Sequence, residues 1–413
     1  MKITFLDYIK SRGYFNQCTN EEGLKKQLSK KLVAYTGFDC TAESLHVGSL
    51  VQIMMLRTFQ KFGFKPIILL GGGTTLIGDP SGKDKTRKIL NKEIIELNKQ
   101  KITSIFERFL KFDNSYNSAL ILDNHDWLSN LNFIDFIRDI GSQFSVNRML
   151  SFESVKQRLD REQNLSFLEF NYVLLQSYDF LKLYSDYGCN IQFGGSDQWG
   201  NIVSGIDLIK KKKKTDRVFG LTSPLITTAN GEKMGKTVRG AVWLTKEKLS
   251  PYEYWQFWRN TSDSDVSKFL CLFTDISSEK IREISSLEGS ELNNAKVLLA
   301  NEATKICHGE EESKKAEQNS LKIFSNHSSD AELPKKNKFS LDEKEVIKLR
   351  DLLIKINLCN SSSESKKMIE SGAVRIDGVK VEDKNFELKK LNYKTKMIKI
   401  SVGKKKHGIL NFL

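Results

Sequence analysis

The chain has 413 residues, 39% of them hydrophobic and 28% charged, enough length for two or three domains with a sizeable core. No stretch approaches the ~18 to 20 unbroken apolar residues of a membrane-spanning helix, so no membrane partner is expected. The 65 Lys and Arg exceed the 51 Asp and Glu, and the net charge of +14 suits a polyanionic partner.

Residues 32–36 (LVAYT) predict a short strand. A helix is expected at 46–62, where Val47, Leu50, Val51, Met54, Met55 and Phe59 recur at helical spacing. PIILLGG (66–72) has the length and apolarity of a buried parallel strand. The three make a βαβ unit with a right-handed crossover, and further strands are expected at 119–122 and 190–193, so the fold class is α/β with a parallel sheet. From 246 to 325 the pattern turns helical, as in PYEYWQFWRN and NAKVLLANEATKICHG. Residues 326–344 are polar, contain Pro334 and read as a linker. The last segment, 345–413, carries 16 Lys and Arg against 8 Asp and Glu, an excess of +8. Helices are expected there at 345–356 and 363–371. A hairpin follows, in which Val374 and Ile376 face Val379 and Val381 across Asp377-Gly378, and then a strand at 397–402.

Six cysteines, at 18, 40, 189, 271, 307 and 359, form no CxxC pair. Neither a zinc site nor a disulfide framework is expected, and the setting reads as reducing and cytoplasmic. The opening MKITFLDYIKSRGYF lacks the apolar core and cleavage site of a signal peptide.

Two segments are suited to phosphate chemistry. In YTGFDCTAESLHVGS (35–49) a strand ends in a Gly-containing turn, and His46 and Ser49 open the next helix. A helix N-terminus favours an anion, Gly48 admits close approach, and His46 either donates to a phosphate or caps the helix. In GEKMGKTVRG (231–240), Lys233 and Lys236 flank a Gly in a polar loop. Such a loop either brings ammonium groups to a phosphate as charge develops or is simply solvated.

Taken together, HVGS and KMGKT are the paired signatures of class I aminoacyl-tRNA synthetases. With GFDCTAESLHVGSL, GDPSGK, EFNYVLLQSYDFLKLY and GGSDQWGN, the chain resembles bacterial-type tyrosyl-tRNA synthetases over nearly its whole length. The tail SSSESKKMIESGAVRIDGVKV resembles the RNA-binding module of the ribosomal-protein S-four type.

The resemblance implies a Rossmann-like catalytic domain at 1–245 with a connective insertion, an α-helical domain at 246–325, the linker, and an α+β RNA-binding domain at 345–413. It implies tyrosine, ATP and tRNA(Tyr) as substrates, Mg2+ only with the ATP phosphates and no dedicated metal site, and a homodimer. Tyr35 and Asp179 would meet the phenol, and Asp79, Tyr172 and Gln176 the α-ammonium. Gln198 is counted with the tyrosine-binding residues. Asp39, Asp197 and Gln198 are expected at the ribose and adjoining groups, with Gly48 and Gly194 allowing backbone approach to ATP. His46, Ser49, Lys233, Lys236 and Thr237 would act at the phosphates, and Lys83 and Arg87 at pyrophosphate. Lys366, Lys367 and Arg375, with Lys210 and Lys211, are the expected tRNA contacts. The sequence departs from the family at Cys40, where Pro is usual, and at Ser49, where His or Asn is common. Gly235 stands where Ser is commoner. Cys40 reads as a buried, inert thiol rather than a reactive one.

Overall fold

The computed structural model describes residues 3–79, 90–162, 164–227, 231, 234–237, 240–287, 289–324, 337–342, 345–389, 393, 397–403 and 406–412. The chain divides into two compact units, Met1–Ser313 and Lys314–Leu413.

In the first unit, β1 (Gln17–Cys18), β2 (Val33–Phe38), β3 (Lys65–Leu70), β4 (Leu120–Asp123), β5 (Ile191–Gly195) and β6 (Phe219–Ser223) form one sheet. Their order is β1-β6-β5-β2-β3-β4. β1 is antiparallel to β6, and the other pairs are parallel. Five of the six residues of β3 are buried, which is why PIILL (66–70) is continuously apolar rather than alternating. The strand order reverses between β2 and β5, so their carboxyl ends flank a crevice at the switch point. The expected strands at 32–36, 66–72, 119–122 and 190–193 correspond to β2 to β5; β1 and β6 were not anticipated. The expected helix at 46–62 is Val47–Lys61.

The helices Pro251–Arg259, Val266–Phe273, Ser278–Ser285 and Ser290–His308 belong to the same unit as the sheet, so the expected boundary at 245/246 falls inside it. Two buried side chains of the N-terminal segment account for this. Arg12, 2% exposed, donates to the carbonyls of Leu270 (3.1 Å), Ile276 (2.6 Å) and Thr274, which closes the end of Val266–Phe273. Tyr14 donates to the Leu272 carbonyl. Pro251 begins its helix behind a Ser250/Glu253 capping box.

In the second unit, β9 (Lys338–Leu341), β10 (Val346–Lys348), β11 (Val374–Ile376), β12 (Val379–Val381), β13 (Glu387–Lys389), β14 (Met397–Val402) and β15 (Lys406–Phe412) surround a buried apolar cluster with the helices Leu349–Lys355 and Ser362–Glu370. β12-β11-β14-β15-β9 is one sheet and β10-β13 another. The hairpin has the expected register, with Val374 opposite Val381 and Ile376 opposite Val379. Asp377 (φ +46°) and Gly378 (φ +85°) both occupy the left-handed region that its tight turn requires. Two expectations are corrected. Residues 338–341, placed in the linker, form β9 and pair in parallel with β15. Residues 346–348, placed in a helix, form β10, because β13 supplies an antiparallel partner about 40 residues later.

Asp275 joins the helical layer to the helix Val47–Lys61. It accepts a bidentate pair from Arg57 (2.6 and 2.7 Å) and one bond from Lys61 (2.5 Å). Burial raises its carboxyl, but these hydrogen bonds and charges prevail and hold it well below the usual carboxylate range. Lys61 is itself pushed down, by burial first, and the bidentate arginine is the stronger partner. A depressed carboxyl stabilises fully above the unfolded value of about 3.9 and loses that contribution as pH falls toward the folded value. Asp275 is 41% exposed, so the contribution is screened and of order 1 kcal/mol or less. Urea unfolding should therefore find Asp275→Asn less stable than the parent at pH 7, with the gap narrowing toward pH 2. A constant gap would contradict this role.

Candidate functional site

The crevice is built from segments that follow the carboxyl ends of β2, β3, β4 and β5, together with one face of the helix Tyr172–Tyr187. Tyr172, Gln176 and Asp179 are spaced i, i+4 and i+7 along that helix and share a face. Asp179 is 2% exposed and is held at both oxygens. Oδ1 accepts from Trp127 Nε1 at 2.7 Å, and Oδ2 from Asn124 Nδ2 at 2.9 Å. Burial pushes its carboxyl up to about 7 against these two hydrogen bonds, with the charges of Asp39 and Asp123 adding to the rise. Tyr35 on β2 is equally buried, and among the described residues its hydroxyl has no hydrogen-bond partner. Burial first, then the Asp179 charge, push that phenol well above its ordinary value. A buried donor without a partner beside a buried carboxylate is a costly arrangement that a ligand hydroxyl would relieve.

Gln198 and Asn201 link two of the residues expected at the α-ammonium, Asp79 and Gln176. Gln198 Nε2 donates to Asp79 at 3.1 Å, and Gln198 Oε1 accepts from Gln176 (3.4 Å) and Asn201 (3.2 Å). Asn201 also donates to Gln176 at 2.9 Å. Tyr172 instead donates to Asp39 at 3.3 Å, and Asp39 also accepts from Thr74 Oγ1 at 3.0 Å. Gly194 lets Gln198 close on β5, since a Cβ there would lie 3.0 Å from that of Gln198. Asp197 is exposed, in the short turn Ser196–Gln198.

His46 takes the capping role. Its Nδ1 accepts from the Gly48 N–H at 3.0 Å, so the neutral ring carries its proton on Nε2. Ser49 is half-buried in the same first turn. The segment after the KMGKT loop lies alongside, with the Val47 N–H donating to the Val242 carbonyl (2.9 Å) and Leu244 N–H to that of Leu45 (2.9 Å). Gly235 has φ +93°, and a Cβ on it would lie 2.8 Å from both Gly48 N and His46 Nδ1. Glycine at this position thus lets the two motifs meet this closely in this backbone conformation. β7 (Lys236–Thr237) pairs with β8 (Gly240–Ala241). The side chains of Lys236 and Thr237 lie outside the described residues, as do Lys83, Arg87 and Lys233 entirely. Cys40 is fully buried, and burial pushes its thiol up to about 12.

Lys210 and Lys211 are not in the crevice. They occupy the last turn of the helix Trp199–Lys213, about 18 Å along its axis from Gln198 at 1.5 Å per residue. There they suit the helix dipole, with Lys210 paired to Asp216 (3.2 Å) and Lys211 donating to the Gln143 carbonyl (2.6 Å). Lys366, Lys367 and Arg375 are exposed on Ser362–Glu370 and β11 of the second unit. Among the described residues no group of three or more His, Cys, Asp or Glu is placed to hold a metal ion.

Residues 26–325 match the family of class I tRNA synthetases (W and Y), and residues 332–410 match the Tyrosine–tRNA ligase SYY-like C-terminal domain. The Tyrosine–tRNA ligase of Pelagibacter ubique (strain HTCC1062) is 52% identical over 406 residues, covering 98% of each chain. The chain belongs to the tyrosine–tRNA ligase family. Another member, from Wolbachia sp. subsp. Brugia malayi (strain TRS), is 50% identical over 98% of each chain. The family fold is seen in a C-terminally truncated mitochondrial tyrosyl-tRNA synthetase of Aspergillus nidulans, with a TM-score of 0.70 and 27% identity over 78% of this chain and 95% of that one.

Within this site of the tyrosine–tRNA ligase family, sequence reasoning missed Thr74, Asn124, Trp127 and Asn201. A signal existed for Asn124 and Trp127: NHDW follows β4, and sites of parallel sheets lie beyond the strands' carboxyl ends. The elevated Asp179 carboxyl has a measurable consequence. The folded state favours its protonated form, so stability should fall as pH rises from about 4 to about 7 and level off above. Asp179→Asn should flatten that fall in thermal unfolding across this range. An unchanged slope would show that Asp179 titrates normally.

Proposed function

We propose that the crevice works as the two halves of a tyrosine–tRNA ligase site, one reading tyrosine and the other holding ATP. The chain ligates tyrosine to its tRNA with ATP as co-substrate. In the first step the tyrosine carboxylate attacks the α-phosphate, giving tyrosyl-adenylate and pyrophosphate. In the second, the tyrosyl group passes to the terminal adenosine of tRNA(Tyr). The observation that carries the reading of the pocket is the buried Tyr35 hydroxyl beside Asp179. A substrate phenol supplies both a donor for the carboxylate and a partner for that hydroxyl, whereas phenylalanine leaves them unanswered.

Asp79, Gln176 and Gln198 face the α-ammonium, with Tyr172 bridging to Asp39 at the ribose side. Asp197 and the Gly48 and Gly194 backbones adjoin the nucleotide. His46 presents its Nε2 proton toward phosphate while Nδ1 caps the helix, and Ser49 lies in the same turn. Lys233, Lys236 and Thr237 stabilise charge as it develops on the α-phosphate, with Lys83 and Arg87 at the leaving pyrophosphate. Mg2+ enters with the ATP phosphates as part of the substrate.

The second unit is read as an RNA-binding domain of the ribosomal-protein S-four type, presenting Lys366, Lys367 and Arg375 to tRNA, with Lys210 and Lys211 as a further contact. A homodimer is supported by the large apolar side chains that the 133–168 stretch exposes: Phe133 (66%), Ile134 (69%), Val146 (58%) and Phe167 (72%). The cytoplasm is the proposed location, since it holds the substrates and suits six free cysteines.

Pyrophosphate exchange across the amino acids tests the activity: tyrosine alone should support it. Asp179→Ala should weaken tyrosine binding by about tenfold or more, as expected for a lost hydrogen bond to a charged group, with ATP binding little changed. Equal tyrosine affinity in that variant would remove Asp179 from the role. Lys233→Ala and Lys236→Ala should slow adenylate formation in single-turnover experiments with tyrosine affinity unchanged. A weaker tyrosine complex with a normal rate would contradict the assignment. A chain ending at about residue 330 should still make tyrosyl-adenylate yet fail to charge tRNA, and tRNA binding by the full chain should weaken steeply with salt. Normal charging by the shortened chain would exclude the tail as the RNA-binding element.

A further inference from the structure

Asn124 is 1% exposed and Thr74 3%, and neither follows from the reading of the site above. Asn124 uses its whole amide. Its Oδ1 accepts from the backbone N–H of Gly73 (2.8 Å) and Thr74 (3.4 Å). Its Nδ2 donates to Asp179 Oδ2 (2.9 Å) and to Thr74 Oγ1 (3.0 Å). The two backbone donors fix which way the amide faces, because a flipped group would set N–H against N–H. Thr74 Oγ1, having accepted from Asn124, spends its one proton on Asp39 Oδ1 at 3.0 Å. Tyr172 closes the chain on the same carboxylate at 3.3 Å. One line of hydrogen bonds therefore runs Asp179–Asn124–Thr74–Asp39–Tyr172, joining segments that follow β2, β3 and β4 to the helix Tyr172–Tyr187.

We propose that Asn124 and Thr74 are positioning residues that lock the phenol-side carboxylate, Asp179, and the nucleotide-side carboxylate, Asp39, into a single unit. The proposal rests on the assignment of those two carboxylates to tyrosine and to the adenylate. Neither positioning residue needs to touch substrate. Asn124 donates to Asp179 and to Thr74, and the Thr74 hydroxyl, polarised by that bond, donates on to Asp39; both residues sit in a buried setting where a missing partner is costly. Ordering Asp179 against tyrosine thereby orders Asp39 for the nucleotide, and a tyrosine-loaded site takes ATP in an already assembled geometry.

Thr74→Val keeps the side-chain shape and removes the hydroxyl, which cuts the line between Asn124 and Asp39 but leaves Asn124 on Asp179. In single-turnover adenylate formation at saturating tyrosine, this variant should need about tenfold more ATP for its half-maximal rate, the scale of one lost hydrogen bond to a charged group. Its tyrosine dissociation constant should stay within about twofold of the parent's. Thr74→Ser keeps both links and should restore the ATP dependence, which separates a lost hydroxyl from a damaged fold. Asn124→Ala should weaken tyrosine and ATP together, and adding Thr74→Val to it should cost less in the ATP readout than it does in the parent, because the Thr74 hydroxyl still reaches Asp39 but has lost the donor that orients it. If Asn124→Ala does not fold, the Val and Ser variants at position 74 decide the matter by themselves. A Thr74→Val chain indistinguishable from the parent, an equal loss in tyrosine binding, or losses that multiply in the double variant would each overturn the proposal. Asp179→Ala and Asp39→Ala measured alongside tell the failures apart. If these act at tyrosine and ATP as assigned while the bridge variants do not, the bridge alone falls; if they leave both ligands unaffected, the assignment falls and takes the bridge with it.

Discussion

A carboxylate 2% exposed cannot stand without donors, and the crevice is organised around meeting that demand at Asp179. Trp127 and Asn124 supply one donor to each oxygen, and both come from the segment directly after β4. That segment is held in turn by Asp123, whose Oδ1 accepts from the Gly72 and His125 N–H groups and whose Oδ2 pairs with Lys99 at 2.5 Å. The donors to Asp179 thus depend on the ends of parallel strands being in register. The same burial raises the Asp179 carboxyl toward neutrality.

Around His46 the constraint is a different one, close backbone approach. His46 uses one ring nitrogen to satisfy a helix N–H, an orphan donor that every helix start leaves, and the cap settles the tautomer. Gly48 and Gly235 then meet with no room for a Cβ on either, so the two signature motifs are in contact through main chain. Gly235 accommodates the left-handed φ of +93° without a Cβ. Cys40, beside this region, is held by the fold instead: Thr75 accepts its backbone N–H at 2.8 Å, and Asn98 donates to its carbonyl at 2.9 Å.

Much of this could be read from the chain before any coordinates. Strands β2 to β5, the helix starting at Val47 and the Asp377-Gly378 hairpin are set by short-range periodicity and turn chemistry, which operate within a few residues. The stripe of Tyr172, Gln176 and Asp179 is likewise local, since helical geometry alone puts them on one face. The two signature motifs were legible because glycines and charged residues at fixed offsets are unusual outside a site.

Partner choice was not legible, because it is made between residues far apart in the chain. Asn124 finds Asp179 across 55 residues and Thr74 across 50, and nothing in NHDW says which neighbour its amide will meet. The bond from Tyr172 to Asp39, across 133 residues, belongs here too, since it follows a distance that only packing sets. The same holds for β10 and β9, short segments whose own propensity is weak and whose strand state comes from β13 and β15. Arg12 is buried because three carbonyls at the end of a helix more than 250 residues away need donors, which nothing in KSRGY announces. The local pattern specifies which elements form and which side chains share a face; hydrogen-bond satisfaction in the packed interior decides which of those side chains become partners.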